Sequence, residues 1–251
     1  MKTLATTCAA ACAAFILTAP HAQAHVSITV TNDQRCITSD GVPSHDTGPW
    51  RAGAVLVAQS HQFCMPAAPQ LSGGVTQDVL VSGITVSGIP LRPGTAEYYD
   101  ASSPRGYSRD RASGWNVEGM GGLTMDAQNG HVDGRGLYHY HGIPKDGTRD
   151  LDQNLFGYAA DGFPILYAGD HIQPSWQLKS GARPSGPSNP GGAYDGTYVQ
   201  DYEFVAGSGQ LDECNGAMVN GAYVYFATDT FPFFPRCFKG TVSADFMGRR
   251  R

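Results

Sequence analysis

Charge is scarce in this 251-residue chain: Asp, Glu, Lys and Arg together make up 16% of it, and the formal net charge is -5. A mildly acidic balance argues against a protein that grips nucleic acid through its phosphates, because that needs an excess of Lys and Arg. No C-x-x-C pair occurs, which argues against a four-thiolate zinc site. There is no G-x-S-x-G elbow, P-loop or dinucleotide fingerprint, so the chemistries announced by those motifs have no signal here. After the first residues no apolar run approaches the length of a membrane span, and no stretch shows the apolar period of an amphipathic helix. With 32 Gly and 16 Pro among short alternating runs, the remainder reads as strands and turns.

Residues 1–24 have the form of a secretory signal: Lys2, an apolar run ending near Leu17, and A-Q-A at Ala22 to Ala24. Cleavage near Ala24 would give a secreted or periplasmic protein with residues 25–251 as a single β domain, or as two packed halves around 25–180 and 195–245. Ala5 and Ala9 stand three residues before Cys8 and Cys12, where a lipoprotein would need a Leu-like residue, so no lipid anchor is expected. Cys36, Cys64, Cys214 and Cys237 are left after cleavage, an even number in an exported chain and hence a pair of disulfides. Pairing Cys36 with Cys64 and Cys214 with Cys237 is favoured because each bond then closes a local loop of roughly 25 residues, worth about 3 kcal/mol.

Val26, Ile28 and Val30 alternate with polar residues and predict a half-buried strand; Ala54 to Ala58 predicts a short buried one. Val79 to Leu91 is a β stretch broken by Gly83 and Gly88. Pro93 to Gly122 reads as a long ordered loop whose Tyr98, Tyr99, Tyr107 and Trp115 either cover the core or form a sugar-binding platform. Asp161 and Gly162 read as a turn into a strand at Phe163, residues 180–197 as an irregular Gly/Pro/Ser connection, and Tyr198 to Phe204 as strand. The fold class is mainly β, with sandwich-like antiparallel sheets and long Gly/Pro-rich loops.

The stretch Gly136 to Ile143, G-L-Y-H-Y-H-G-I, is where residue type and spacing suggest chemistry. In a strand His139 and His141 share one face, about 7 Å apart by strand rise, while Tyr138 and Tyr140 share the other. His131 lies just upstream across a Gly-rich turn, placed to fold back as a third nitrogen ligand. Residues 125–141 also match residues 211–226, with Asp126, Asn129, Gly130, Tyr138 and Tyr140 against Asp212, Asn215, Gly216, Tyr223 and Tyr225, as an internal repeat would. Where the first stretch has His131, His139 and His141, the second has Ala217, Val224 and Phe226, so the strand does not need the histidines. A buried imidazole hydrogen-bonded to backbone is the competing reading.

The Y-H-Y-H run, with D-x-x-N-G before it, A-D-G-F-P-I and L-D-E-C-N-G after it, R-C-I-T-S-D-G-V-P-S-H near the start and F-P-F-F-P-R-C-F-K-G at the end, resembles the YHYH-domain family of secreted proteins. In some members of that family the later stretch also reads Y-H-Y-H; here it reads Y-V-Y-F, so no second site is expected. The resemblance implies export rather than a particular activity. Its N-G-x-P-x-H pattern, with Asp40 here for the Asn, makes His45 a candidate fourth ligand. Asp161 is read either as a turn cap or as a carboxylate that orients a ligating imidazole, and Tyr138 and Tyr140 as residues that tune the site from behind it. Three functions are weighed: an exported protein with a copper or zinc site on a β strand, a metal-dependent hydrolase at the same place, and a metal-free adhesion or glycan-binding module. No nucleic acid and no membrane span are expected, and the small-molecule or glycan partner is left open.

Overall fold

A computed structural model describes residues 26–50, 53–77, 79–146 and 154–247. The signal sequence expected at 1–24 lies outside these residues. Strands β1 (Val26–Val30), β2 (Gln34–Ser39) and β3 (His61–Pro66) form an antiparallel sheet in that order. Its register sets Cys36 opposite Cys64, and the two are joined by a disulfide. Strand β4 (Leu71–Gln77) comes next, followed by the hairpin of β5 (Gly83–Thr85) and β6 (Pro90–Leu91). A small ribbon, β7 (Tyr98–Tyr99) with β8 (Tyr107–Ser108), precedes a one-turn helix α1 (Gly119–Gly122). The hairpins β9 (Gly130–Val132) with β10 (Tyr138–Tyr140), and β11 (Leu155–Ala159) with β12 (Pro164–Tyr167), follow. Strands β13 (Trp176–Leu178) and β14 (Tyr202–Phe204) pair with each other. The chain continues through β15 (Gly216–Val219), β16 (Ala222–Ala227) and β17 (Cys237–Gly240), and β17 returns to β4. A second disulfide ties Cys214 to Cys237.

An eight-stranded sheet in the order β15-β16-β12-β11-β5-β6-β10-β9 carries the core. Its pattern is the same from either end: an antiparallel hairpin, a parallel pairing to the next hairpin, then the antiparallel seam between β11 and β5. The fold is mainly β with several antiparallel sheets, as expected, and the parallel pairings β10 with β6 and β12 with β16 are an addition to it. They explain the long loops. Parallel neighbours need a crossover of a dozen or more residues, and the Gly/Pro-rich stretches 93–122 and 180–197 lie in those two crossovers. Ile84, Leu91, Tyr138, Tyr140, Phe156, Ile165, Tyr225, Phe234 and Phe238 fill the main core.

Four local expectations need correction. Strand β1 exists but is exposed along its length, because it is the outer strand of its sheet and is held by pairing with β2. Ala54 to Ala58 is not a strand: the Val57 N–H donates to the Gly136 carbonyl (3.0 Å), and Val55 and Val57 stay largely exposed as this segment crosses the β9–β10 turn. Gly83 does not break the β stretch; it sits in β5, where a Cβ would collide with the Tyr158 carbonyl and Ile165, while Gly88 at φ +80° makes the turn. Tyr198 to Phe204 is only partly strand, since Val199–Asp201 is a 3-10 turn ahead of β14. Among the described residues no helix is long and apolar enough to cross a membrane.

Candidate metal centre

The D-x-x-N-G turn builds the hairpin that carries the histidines. Asp126 Oδ1 accepts from the Gln128 and Gly130 N–H groups at 2.9 and 3.1 Å. Asn129 takes φ +58°, a conformation that Asn tolerates better than most residues, and its carbonyl accepts from the His141 N–H at 2.9 Å. Gly130 is obligatory because a Cβ there would strike the Tyr138 hydroxyl, which donates to Asp126 Oδ2 at 3.0 Å. A short polar motif thereby fixes where β10 starts and which face each of its side chains takes.

On one face of that hairpin His139 lies directly opposite His131 in register, and His141 follows two residues on. The three Nε2 atoms form a triangle with sides of 3.1, 3.1 and 3.2 Å. Nitrogens bound at 2.0–2.1 Å to one tetrahedral ion stand about 3.3 Å apart, so the donor atoms and their spacing fit a transition-metal ion of the zinc or copper type. His139 Nδ1 lies 3.2 Å from the Leu137 carbonyl; donating there puts the proton on Nδ1 and leaves Nε2 with a lone pair turned to its neighbours. Lone pairs this close repel unless a proton or a cation is shared between them.

Burial keeps His139 and His141 neutral. It is the largest cause of the depressed pKa of each ring, followed for His139 by the charges of Arg92 and His131, and for His141 by those of His139 and His131. The unfolded imidazoles take up protons as pH falls below about 6.5, while the folded ones stay neutral until their lower pKa is reached. Stability of the metal-free protein is therefore present above that pH and declines below it, by up to about 1.4 kcal/mol per pH unit for each ring. Thermal melts of chelator-treated protein at pH 7.5, 6.5 and 5.5 check this; a Tm flat across the series would contradict it.

Residues distant in sequence hold the rings in place. His141 packs against Gly119 of α1, where a Cβ would collide with Nδ1 and the ring carbons. Its buried Nδ1 has no partner in hydrogen-bonding geometry, and the Pro93 carbonyl is the acceptor that acts on it. That carbonyl also accepts from Arg236 Nη2 (3.2 Å), which in turn binds Glu118 Oε2 at 2.7 Å. Glu118 caps α1 and is fully buried. Sequence reasoning missed Gly119, Glu118 and Arg236; Arg236 does stand in the F-P-F-F-P-R-C-F-K-G ending, but nothing in its spacing points at the histidines. Gly119→Ala is expected to push His141 aside and weaken zinc binding at least about tenfold, as loss of a supporting contact does. A zinc titration of the folded variant measures it, and unchanged affinity would mean that the ring has room to retreat.

Other residues singled out in the sequence lie elsewhere. Tyr138 and Tyr140 point to the opposite face, and burial, their largest influence, raises both phenol pKa values, so they stay protonated. His45 is not with the three rings: its Nε2 meets the Tyr140 hydroxyl at 2.6 Å, because the loop that carries it packs on the tyrosine face. The same loop places Trp50 against Tyr138 and its Gly48 N–H on Asp126. Asp161 does not orient an imidazole either; it accepts from the Tyr225 hydroxyl (2.7 Å) and the Gly240 N–H (2.9 Å) at the other half of the sheet. Of the loop aromatics, Tyr99 and Trp115 pack edge-on to Tyr198, and Tyr98 and Tyr107 lie under Arg111 and Arg105, so half-buried rings cover the core side of the loop.

The hairpin β15–β16 carries the same bonds. Asp212 Oδ1 accepts from the Cys214 and Gly216 N–H groups, Tyr223 donates to Asp212 Oδ2, Asn215 takes φ +65°, and its carbonyl accepts from the Phe226 N–H. Ala217 is opposite Val224, as His131 is opposite His139. Val224 and Phe226 pack with Leu211 and Ala217 in a small apolar cluster. In comparisons with known proteins, a family model described as "YHYH protein" matches residues 62–240. No curated protein and no solved structure matches.

Proposed function

The chain belongs to the YHYH protein family, and on that premise we propose that it is an exported metal-binding protein whose His131, His139 and His141 hold one copper or zinc ion. The observation that carries this is the convergence of three Nε2 atoms to within 3.2 Å of one another on buried or half-buried rings. Neutral imidazoles suit both ions, and three nitrogen donors leave room for a further ligand. An ion there supplies Lewis acidity; the chain's part is to hold three rings in one orientation through the Leu137 carbonyl, the packing of Gly119 and the turn at Asp126.

Export is supported by the two disulfides, which belong in an oxidising compartment. Release would follow cleavage near Ala24. The test is elemental analysis of protein purified from the exported fraction or refolded with both ions present. About one ion per chain is the expected stoichiometry; less than about one per three chains, with no difference between the natural protein and a His139→Ala/His141→Ala variant, would refute a metal site.

A further inference from the structure

Where the three-stranded sheet meets the eight-stranded one, a pocket of about 360 Å³ opens to solvent. Its floor is built by the hairpin of β11 and β12. Leu155 stands opposite Leu166 and Tyr158 opposite Pro164 in register, so the four side chains share one face. Leu155 and Tyr158 are three residues apart, a spacing that in a regular strand puts side chains on opposite faces; the register shift between Leu155 and Gly157 brings them to the same side. Phe156 and Ile165 take the other face and enter the core. The remaining wall is Arg35 of β2 with Ala67 and Pro69 beyond β3. It is drawn against the hairpin at Gly162, which has φ +90° and where a Cβ would strike the Pro66 carbonyl.

Among the described residues lining this pocket, Arg35 alone carries a charge. Its guanidinium carbon lies 3.9 Å from the centre of the Tyr158 ring. The guanidinium makes no ion pair or side-chain hydrogen bond with a described residue, whereas Arg92, Arg183 and Arg236 each hold a carboxylate. Contact with the ring orients the side chain and covers part of it, but leaves its five N–H donors unused. A half-buried guanidinium with unused donors, set before an apolar floor, is complementary to a carboxylate on an apolar body: the planar fork takes both oxygens, and the body covers Leu155, Pro164 and Leu166. The volume suits a small molecule, at the lower end of the roughly 300–1,000 Å³ usual for such sites.

We propose that this pocket is a second binding site, independent of the three histidines, for a small organic monocarboxylate with a compact apolar body. Arg35 holds the carboxylate, Tyr158 keeps the guanidinium in place, and the leucines and prolines take the body. No residue of the pocket belongs to the histidine cluster. Selectivity needs both parts of the ligand: a neutral amide of the same shape gives Arg35 no charged acceptor, and acetate has nothing to set against the floor.

The experiment is an amide-correlation NMR titration of the exported protein, with chelator and without, against phenylpropionate, phenylpropionamide and acetate at about pH 7, where the acids are ionised. Phenylpropionate is expected to shift the amides of Leu155, Tyr158, Gly162 and Leu166 to saturation in both conditions, and to bind at least about tenfold more tightly than phenylpropionamide or acetate. In Arg35→Met, whose melting temperature checks that it folds, the preference for acid over amide is expected to vanish. Arg35→Lys keeps the charge without the planar fork, and its preference is expected to fall between the two. Equal affinity for acid and amide in the natural protein overturns the proposal, as does an undiminished preference in Arg35→Met. Shifts gathered around His139 and His141 in place of the pocket, or no saturable shifts up to about 10 mM acid, overturn it as well.

Discussion

Replacing His131, His139 and His141 with the residues that stand at the same places in the other hairpin, as His131→Ala, His139→Val and His141→Phe, is expected to abolish zinc and copper binding and to leave the metal-free fold at least as stable as before. The second hairpin shows why. It closes through the same Asp and Asn hydrogen bonds with Ala217, Val224 and Phe226 in the corresponding register, and packs those side chains as a small core. Exchanging a group of mutually facing polar side chains for apolar ones of similar total volume is neutral or stabilising, because no buried donor is left without its partner. A gain of about 1–2 kcal/mol is anticipated from packing. Chemical denaturation in chelator together with metal titration measures both effects. A variant that unfolds would show the imidazoles to be part of the framework, and one that still binds one ion per chain would place the site elsewhere.

Asp126→Ala is expected to have the largest effect on stability. Asp126 is 7% exposed and accepts from the Gly48, Gln128 and Gly130 N–H groups and from the Tyr138 hydroxyl. Truncation leaves all four donors without that acceptor, for a cost of about 3–5 kcal/mol given that such losses are not additive. Because the same turn sets the position of β10, zinc affinity is expected to fall with it. Asp212→Ala is the control: it removes the matching bonds to Cys214, Gly216 and Tyr223 at the opposite end of the sheet. It is expected to lower the melting temperature while leaving zinc affinity unchanged. Equal loss of zinc binding in both variants would mean that global loosening, and not the local turn, governs the site.

Much of this site was legible in the chain because its ligands are neighbours. Residues two apart in a strand must share a face, and a Gly-rich turn brings His131 back beside them, so the three rings and the opposite facing of Tyr138 and Tyr140 follow from local geometry. The disulfide pairing was legible for a similar reason, each bond closing a short loop. The parts that escaped are non-local. Gly119 packs on His141 from a one-turn helix, and Arg236, beside the last strand, holds the Pro93 carbonyl and Glu118; no periodicity links those positions to the histidines. Strands of two or three residues such as β5, β6 and β10 are too short to show alternation, so the order of the eight-stranded sheet and its parallel pairings could not be read from pattern. His45 and Asp161 lie apart from the three rings for one shared reason: each bonds a buried tyrosine hydroxyl, and that demand comes from residues far along the chain.

The two ends of the eight-stranded sheet present one frame with two fillings. In a frame closed by main-chain groups, Asp carboxylates and tyrosine hydroxyls, the turn of each terminal hairpin is held without the side chains at those three places. Selection can then act on them for what they bind alone, and a lineage can lose or regain a ligand at one edge without jeopardising the scaffold. Differences among descendants of this architecture should therefore gather at those three places while the D-x-x-N-G turns stay fixed.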